Sequence, residues 1–401
     1  MVEVKNQQGE PVDWWFIYKT PKHTGTNNNK GFDFFYFDEN SNALQLSPVG
    51  LDIDNQALSH TLKGLFNASE NVGYIAYNDE HTDKQKNSSE KGHCKGILAF
   101  DKSTDSAIFL LHSTPRFPAN NESTLPIDEE IYGQTFICIT LPDYQAANQI
   151  AQQMLSQQNP QILTESSRIP SSLNDNEPLS LLFHGSGLSE SKQPSTLKFK
   201  SKGGKAFLLI AKSRKWGEDF WLDLVSPELN CDLIVETWRR GAVTPMQDDH
   251  SHTFDEDTLS LKFSTESPKV YEWPYTKDHA KWAVALKNSF SSLPWVCIAD
   301  INRYGLPGET RGWMPLFSRR AIVGRFKKCR REITQDRVRV NPHSHSSFKF
   351  KYGSLNNKHR SHSFLRWSDV FSTSFYSLVL LLTFGNDLSY GGVRFGASVL
   401  G

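Results

Sequence analysis

Gly92-His93-Cys94-Lys95-Gly96-Ile97-Leu98-Ala99-Phe100-Asp101 and Asp278-His279-Ala280-Lys281-Trp282-Ala283-Val284-Ala285-Leu286 each set a His-x-Lys triplet ahead of an apolar run that reads as a strand. In an extended chain residues i and i+2 share a face, so each triplet presents an imidazole and an ammonium together. The middle residue, Cys94 or Ala280, then points into the core. Downstream of each strand comes a polar cluster, His112-Ser113-Thr114 in the first case and Asp300-Ile301-Asn302 in the second. One such triplet alone is commonplace on a solvated strand edge. Two, equivalently placed, make two similar α/β halves the simplest architecture.

Working outward, the first third is dense in strand signals: Trp14–Thr20, Gly31–Phe37, Val72–Tyr77, Gly96–Phe100, Ala107–His112 and Phe136–Leu141 are β-branched or aromatic and bounded by Asn, Asp, Gly or Pro. Pro142-Asp143 then opens a helical run from Tyr144 to Gln157, with Ala147, Ile150, Ala151, Met154 and Leu155 at helical spacing. The polar stretch from Gln157 to Glu177 reads as a linker. Ala206–Ala211, Phe220–Val225, Asp232–Thr237, His279–Leu286 and Trp295–Asp300 are strand candidates in a second half. The expected organisation is a first half over residues 1–156, a second over 157–318, and a divergent basic tail over 319–401, read as poorly ordered.

Among 401 residues, 38% are hydrophobic and 22% charged, the make-up of a globular protein rather than of a disordered or disulfide-dense chain. The 44 basic and 44 acidic side chains cancel overall, but Arg319 to Arg366 holds 14 Lys/Arg against Glu332 and Asp336, whereas residues 1–318 hold 29 basic and 40 acidic. The body is therefore anionic at neutral pH and does not steer anions toward itself. Cys94, Cys138, Cys231, Cys297 and Cys329 form no CxxC pair and no disulfide framework. The start, MVEVKNQQGEPVDWW, has no apolar signal-peptide region, and the apolar run from Val370 to Phe384 is shorter than a bilayer span.

Two imidazoles with two lysines suit attack on a phosphodiester. One neutral His acts as nucleophile, the other, protonated, supplies a proton to the leaving alkoxide, and the lysines neutralise phosphate oxygens. That chemistry calls for no metal and no cofactor. The Asp248-Asp249-His250-Ser251-His252 cluster reads as a polar surface loop rather than a metal site.

At this point the residues bring a family into view. Gln8-Gly-Glu-Pro-Val-Asp-Trp14, Tyr77-Asn-Asp79, Gly92-His-Cys-Lys-Gly96, His112-Ser-Thr-Pro-Arg-Phe-Pro118, Tyr132-Gly-Gln-Thr135, Asp278-His-Ala-Lys-Trp282 and Asp300-Ile-Asn-Arg303 follow one another in an order and spacing that resembles deoxyribonuclease II, the acid endonuclease family of the phospholipase D-like superfamily. The likeness runs from about residue 8 to residue 317. It implies a pseudo-dimeric phospholipase D-like fold of the α/β (α+β-like) class, two sheet-centred halves with flanking helices sharing one active site. It further implies that His93 and Lys95 form one half-site and His279 and Lys281 the other, His93 as nucleophile and His279 as acid, with a 3′-phosphate released by water. His112, Ser113, Asp300 and Asn302 are expected as supporting or phosphate-binding residues. DNA is the implied substrate, held by its backbone with little sequence preference, and no membrane partner is expected.

The family pattern is not kept throughout. Position 100 is Phe and position 286 is Leu where the superfamily's His-x-Lys-x4-Asp would place an acid, a laxity the family shares. Cysteines of the animal enzymes are missing at Ala283 and in Arg311-Gly312-Trp313, which leaves Cys297 without its family partner. The triplets Asn67-Ala-Ser69, Asn87-Ser-Ser89 and Asn121-Glu-Ser123 are compatible with the lysosomal or secreted location that the resemblance implies, although the chain as written begins without a signal peptide. The rival readings are a catalytically silent relative that binds nucleic acid or a partner, and a phospholipase D-type lipid phosphodiesterase. With the nine histidines of residues 1–318 gaining charge and carboxylates losing it, DNA binding and catalysis are both expected to strengthen in acid.

Overall fold

Alternation inside single strands builds a three-layered core. In β3 (Trp14–Lys19) the side chains of Trp14, Phe16 and Tyr18 join one apolar cluster while Trp15 and Ile17 join another on the opposite face. The structure, a computed structural model, describes residues 1–24, 29–81, 83–88, 90–238, 255–264, 270–285 and 295–302, with backbone strands at 348–353, 364–365, 380–381 and 394–400. After a small hairpin of β1 (Val4–Lys5) and β2 (Pro11–Val12), a seven-stranded sheet forms from β3, β4 (Phe34–Asp38), β5 (Gln45–Leu46), β6 (Val72–Asn78), β7 (Lys95–Asp101), β8 (Ser106–His112) and β9 (Gln134–Leu141), in the order β5-β4-β3-β9-β8-β7-β6. Every pairing in it is antiparallel.

One face of this sheet is covered by α1 (Ala57–Phe66), whose Leu58, Leu62 and Leu65 recur at helical spacing against Ile97, Ile108 and Phe136. The other face meets α2 (Tyr144–Gln157), the predicted helix to the residue, with Asp143 accepting from the Ala146 amide at 2.7 Å as its N-cap.

Beside α2, the same face receives a second sheet. Its described members are β12 (Leu233–Glu236), β13 (Asp255–Ser264), β14 (Val270–Pro274), β15 (Lys281–Ala285) and β16 (Val296–Ala299), in the order β13-β12-β15-β16 with β14 beside β13. Backbone strands β17 (Phe348–Gly353), β18 (Phe364–Leu365), β19 (Leu380–Leu381) and β20 (Arg394–Leu400), drawn from the basic C-terminal segment, extend it to nine. An aromatic seam joins the sheets: Phe263 stacks on Phe35 at 4.7 Å between ring centres, and Tyr18 meets Phe263 edge-on at 5.1 Å.

Two expectations are corrected. Phe220–Val225 is not a strand: Trp221–Val225 makes a π-helical turn that runs into α4 (Ser226–Leu229). Asp219 accepts from the Trp221 and Leu222 amides and starts the turn, and Trp221, Val225 and Leu229 bury one helical face against Leu233, Val235 and Ala283. The polar stretch after α2 is no free linker either. It lies along the outer edge of β6, where Tyr74 and Arg168 exchange both backbone hydrogen bonds at 2.8 Å and Leu163 donates to Ala76. It then passes through the short α3 (Pro178–Phe183) into a hairpin of β10 (Ser195–Lys200) and β11 (Ala206–Ala211). The fold is mixed, α+β, with antiparallel pairing predominant.

Candidate active site

Both His-x-Lys triplets sit at strand entrances. β7 begins at Lys95 and β15 at Lys281, so each lysine is the first residue of its strand and each histidine lies just before it. Cys94 and Ala280 are buried in the core, as the alternation requires. The chain reaches His93 through Gly92, where a Cβ would lie 1.8 Å from the Gln158 carbonyl oxygen at the end of α2, so only glycine fits that approach.

In the first triplet the ladder between β6 and β7 pairs Asn78 with Lys95 and brings the next residue, Asp79, onto the lysine. The wholly buried Lys95 ammonium bonds Asp79 Oδ1, while Asp79 Oδ2 stands 3.5 Å from His93 Nε2. His93 Nε2 also accepts from Asn302 Nδ2 at 2.9 Å, which makes Nε2 the ring nitrogen with the lone pair. His93 Nδ1 and Asn302 Oδ1 are buried without a hydrogen-bond partner.

In the second triplet His279 is held at three points. Its amide donates to Gly133 O at 2.8 Å, its carbonyl accepts from the Lys281 ammonium at 2.7 Å, and its Nδ1 lies 2.9 Å from Ser113 O. A carbonyl only accepts, so Nδ1 carries the proton and Nε2 the lone pair. The Trp238 ring lies edge-on at 5.1 Å and Tyr132 at 6.2 Å from the imidazole. Behind it, the buried Asp278 accepts from Tyr18 OH at 2.7 Å, Trp273 Nε1 at 2.6 Å and the Ala280 amide at 2.8 Å. Tyr18 belongs to the first sheet, so the second triplet is anchored across the aromatic seam.

Asp300 follows β16, whose Ala299 pairs with Lys281, and its Oδ2 reaches the Lys95 amide at 3.4 Å. The charges act on one another across the two triplets. Burial, then the Lys95 ammonium, drive the His93 imidazole down to about 3, with Asp79 pulling the other way. His279 is pushed well below its ordinary value by burial, by Lys281 and by the more distant Lys95. Lys281 is lowered by burial and by Lys95. Burial raises Asp300 to about 7, whereas in Asp79 the effect of burial is outweighed by Lys95 and His93, which hold the carboxyl at about 2. Both imidazoles are therefore neutral at neutral pH.

Of the remaining expected residues, Ser113 approaches His279 through its carbonyl, while its hydroxyl donates to Gln134 Oε1 at 2.5 Å. His112 is buried between Phe117 and Phe136 and accepts from the Thr114 amide at 3.2 Å, and burial, then the Lys95 ammonium, lower its imidazole to about 3. Sequence reasoning gave no role to Asp79, Tyr18, Asp278, Tyr132 or Gly133, although Tyr77-Asn-Asp79, Tyr132-Gly-Gln-Thr135 and Asp278 stood in the family-like segments. A cleft of about 690 Å3 opens beside Asp79, His93, Asp300 and Asn302. Among the described residues no three His, Cys, Asp or Glu side chains converge as metal ligands, and no helix is long and apolar enough to cross a membrane. Cys94 and Cys138 are buried free thiols. The Asp248–His252 cluster lies outside the described residues.

The profile of the family Deoxyribonuclease II matches residues 3–335. A Burkholderia pseudomallei (strain 1710b) protein named "Putative deoxyribonuclease-2" is 37% identical over 320 residues, 78% of this chain and 87% of the relative. Cell death-related nuclease 6 of Caenorhabditis elegans is 33% identical over 313 residues, covering 75% and 80%, and deoxyribonuclease-2-alpha of Bos taurus is 30% identical over 306 residues, covering 74% and 80%.

Proposed function

The chain belongs to the deoxyribonuclease II family and is a hydrolytic nuclease, and we propose that it cuts DNA in acid, without a bound metal, through a phosphohistidine on His93. The observation that carries this reading is an exchange between the two triplets. The segment after β8 sends the Ser113 carbonyl to His279, and the segment after β16 sends Asn302 to His93, each at 2.9 Å. Such crossing is what a pseudo-dimer of phospholipase D-like halves with a single shared site requires, and residues 1–156 and 157–318 supply those halves.

In this mechanism the phosphodiester docks between the Lys95 and Lys281 ammoniums. His93 Nε2 attacks phosphorus, the bond to the 5′ oxygen breaks, and His279 Nε2–H delivers its proton to that oxygen. The Ser113 carbonyl on Nδ1 supports the imidazolium form of His279. Neutral His279 then takes a proton from water, which attacks the phosphohistidine and frees His93 and a 3′-phosphate. Asp79 screens Lys95 and His93, and Asp300 and Asn302 brace the first triplet. His112 holds its strand end from within the core.

Acid enters through charge. Burial, and then the neighbouring ammoniums, keep both imidazoles neutral, so a bound phosphate anion and a falling pH together restore the proton that the leaving group needs. An acidic lysosomal or secreted setting, implied by the resemblance, suits that requirement.

The test is plasmid nicking at pH 5 in excess chelator, followed by alkaline quench and mass spectrometry of the peptide carrying His93. Wild type should nick the plasmid and show a nucleotidyl adduct, and His93→Ala and His279→Ala should lose at least about 100-fold in rate. A wild-type rate that vanishes in chelator, or His93→Ala cutting as wild type does, overturns the mechanism.

A further inference from the structure

Lys19, the last residue of β3, is wholly buried, and among the described residues no carboxylate lies within ion-pair distance of its ammonium. What it meets is backbone. Its Nζ donates to the Tyr132 carbonyl at 2.6 Å and to the Thr20 carbonyl at 3.3 Å, with the Phe32 ring 6.0 Å away. Burial brings the ammonium down to about 7, and Glu129, Asp278 and Glu130 pull the other way, so at acid pH it is charged and acts only as a donor. A buried cation held only by carbonyls costs the fold more than an apolar chain of similar length would.

The carbonyl it holds belongs to the segment on which His279 rests. β3 and β9 run antiparallel with Lys19 opposite Gln134, so the lysine reaches back to the residues that lead into β9. There Gly133 donates to Lys277 O and accepts from the His279 amide, both at 2.8 Å. The Tyr132 ring lies 6.2 Å from the imidazole and 4.8 Å from the Trp238 ring. Gln134 Oε1 accepts from the Ser113 hydroxyl, and the Ser113 carbonyl meets His279 Nδ1 at 2.9 Å. Tyr132, Gly133 and Gln134 thus act on His279 through its ring, its amide and its Nδ1 partner, and Lys19 fastens the first of them from inside the core.

We propose that Lys19 is a positioning residue for the second triplet: its bond to the Tyr132 carbonyl fixes the Tyr132–Gln134 segment, and with it the direction in which His279 Nε2 faces the leaving oxygen. The proposal rests on the reading of His279 as the acid of the first step. Lys19 is buried out of reach of substrate, so its loss acts on proton transfer and not on DNA affinity. Proton transfer is the event most sensitive to it, because a hydrogen bond to the 5′ oxygen depends on both distance and angle.

The experiment compares kcat/KM of the full chain at pH 5 on two substrates that differ in leaving group. One is duplex DNA, whose 5′ alkoxide needs a proton; the other is thymidine 3′-(4-nitrophenyl phosphate), whose phenolate leaves with little help. Because kcat/KM covers the steps up to cleavage of the P–O bond, hydrolysis of the phosphohistidine does not enter. His279→Ala sets the scale, with a loss of at least about 100-fold on DNA and less than about fivefold on the nitrophenyl ester. Lys19→Met should lose about 10- to 100-fold on DNA, through kcat with KM nearly kept, and less than about threefold on the ester. Lys19→Gln, which keeps an uncharged donor, should fall between Lys19→Met and wild type. Leu62→Ala, a core truncation on α1 at the opposite face of the first sheet, controls for destabilisation and should treat the two substrates alike. Equal losses on both substrates in Lys19→Met, or a wild-type rate on DNA, overturn the proposal. So does a failure of both Lys19 variants to fold by circular dichroism, which would make the lysine a residue of the fold alone. If His279→Ala itself slows both substrates alike, the acid role of His279 is what fails, and the proposal for Lys19 falls with it.

Discussion

Replacing Asp79 by Asn removes one negative charge from the most tightly packed part of the site and leaves the fully buried Lys95 ammonium without its anion. Breaking a buried pair from one side costs about 3–5 kcal/mol, and the amide keeps one acceptor for the ammonium, so the lower end, about 3 kcal/mol, is expected at neutral pH. The pKa gives a second route to the magnitude. Burial alone would raise the Asp79 carboxyl, but Lys95 and then His93 hold it at about 2 against an ordinary 3.8. A shift of nearly two units corresponds to about 2 kcal/mol of stability. Because the folded value is depressed, that stability is complete above the unfolded value and is lost as pH falls from about 4 through about 2. Urea unfolding of wild type and Asp79→Asn at pH 7, 5 and 3 should show a gap of about 2–3 kcal/mol at the two higher values and a narrower one at pH 3. A gap under about 0.5 kcal/mol at pH 7, or one that persists undiminished at pH 3, refutes the reasoning, since either means that the carboxylate's charge does not offset the lysine.

Three further outcomes follow from the same geometry. Tungstate or phosphate binding should take up protons and tighten as pH falls, because an anion raises imidazole pKa values that burial and then the ammoniums depress; calorimetry in two buffers of different ionisation enthalpy reads the uptake, and none would count against the charge account. Gly133→Ala puts a Cβ 2.8–2.9 Å from the Asp278 carboxylate and should lower kcat at least about tenfold through displacement of His279, whereas Gly64→Ala, in the exposed last turn of α1, should raise stability by about 0.5–1 kcal/mol. Tyr18→Phe removes a donor to Asp278 and the acceptor of Trp282 Nε1, and should cost about 1–3 kcal/mol in denaturant unfolding together with a fall in kcat; wild-type kcat would show that the anchor does not position His279.

Much of the first sheet was legible because its strands are buried on both faces, so that Trp14-Trp-Phe-Ile-Tyr18 and Gly96–Phe100 read as unbroken apolar runs of strand-forming residues. α2 was legible to the residue because its cap and its periodicity agree. Phe220–Val225 misled because aromatic and β-branched content outvoted the capping Asp219 and the Ser226-Pro227 pair, which mark a helical turn. β13 and β14 escaped because polar residues alternate with the few apolar ones, and only the aromatic seam gives Phe263 and Trp273 a reason to be buried. In the site, the four His and Lys residues were visible through repetition. Asp79 and Tyr18 were not, since their roles depend on which strand ends become neighbours, a matter of register that local spacing does not encode. His112 was visible as the residue that ends a strand in the place matching Asp300, while its packing between Phe117 and Phe136 and its electrostatic coupling to Lys95 come from strand neighbours that spacing does not give.

The arrangement of charge explains why one fold element after another converges on so small a volume. Burial and then the Lys95 ammonium lower the proton affinity of Lys281, burial and the nearby ammoniums lower that of the two imidazoles, and Asp79, paired with Lys95, pulls the other way on Lys281 and His93. In the proposed mechanism a phosphodiester supplies an anion beside these cations, and its interaction with them strengthens as charge develops on its oxygens. The network of Tyr18, Trp273 and the Ala280 amide around Asp278 then has a mechanical purpose. In the proposed mechanism it holds the second triplet in place before substrate arrives, so that binding energy need not be spent on assembling the site. The Ser113 carbonyl and the Asn302 amide, each reaching the histidine of the other triplet, tie the two triplets together, while Asp79 beside His93 and Lys281 on the His279 carbonyl add contacts from each triplet's own side.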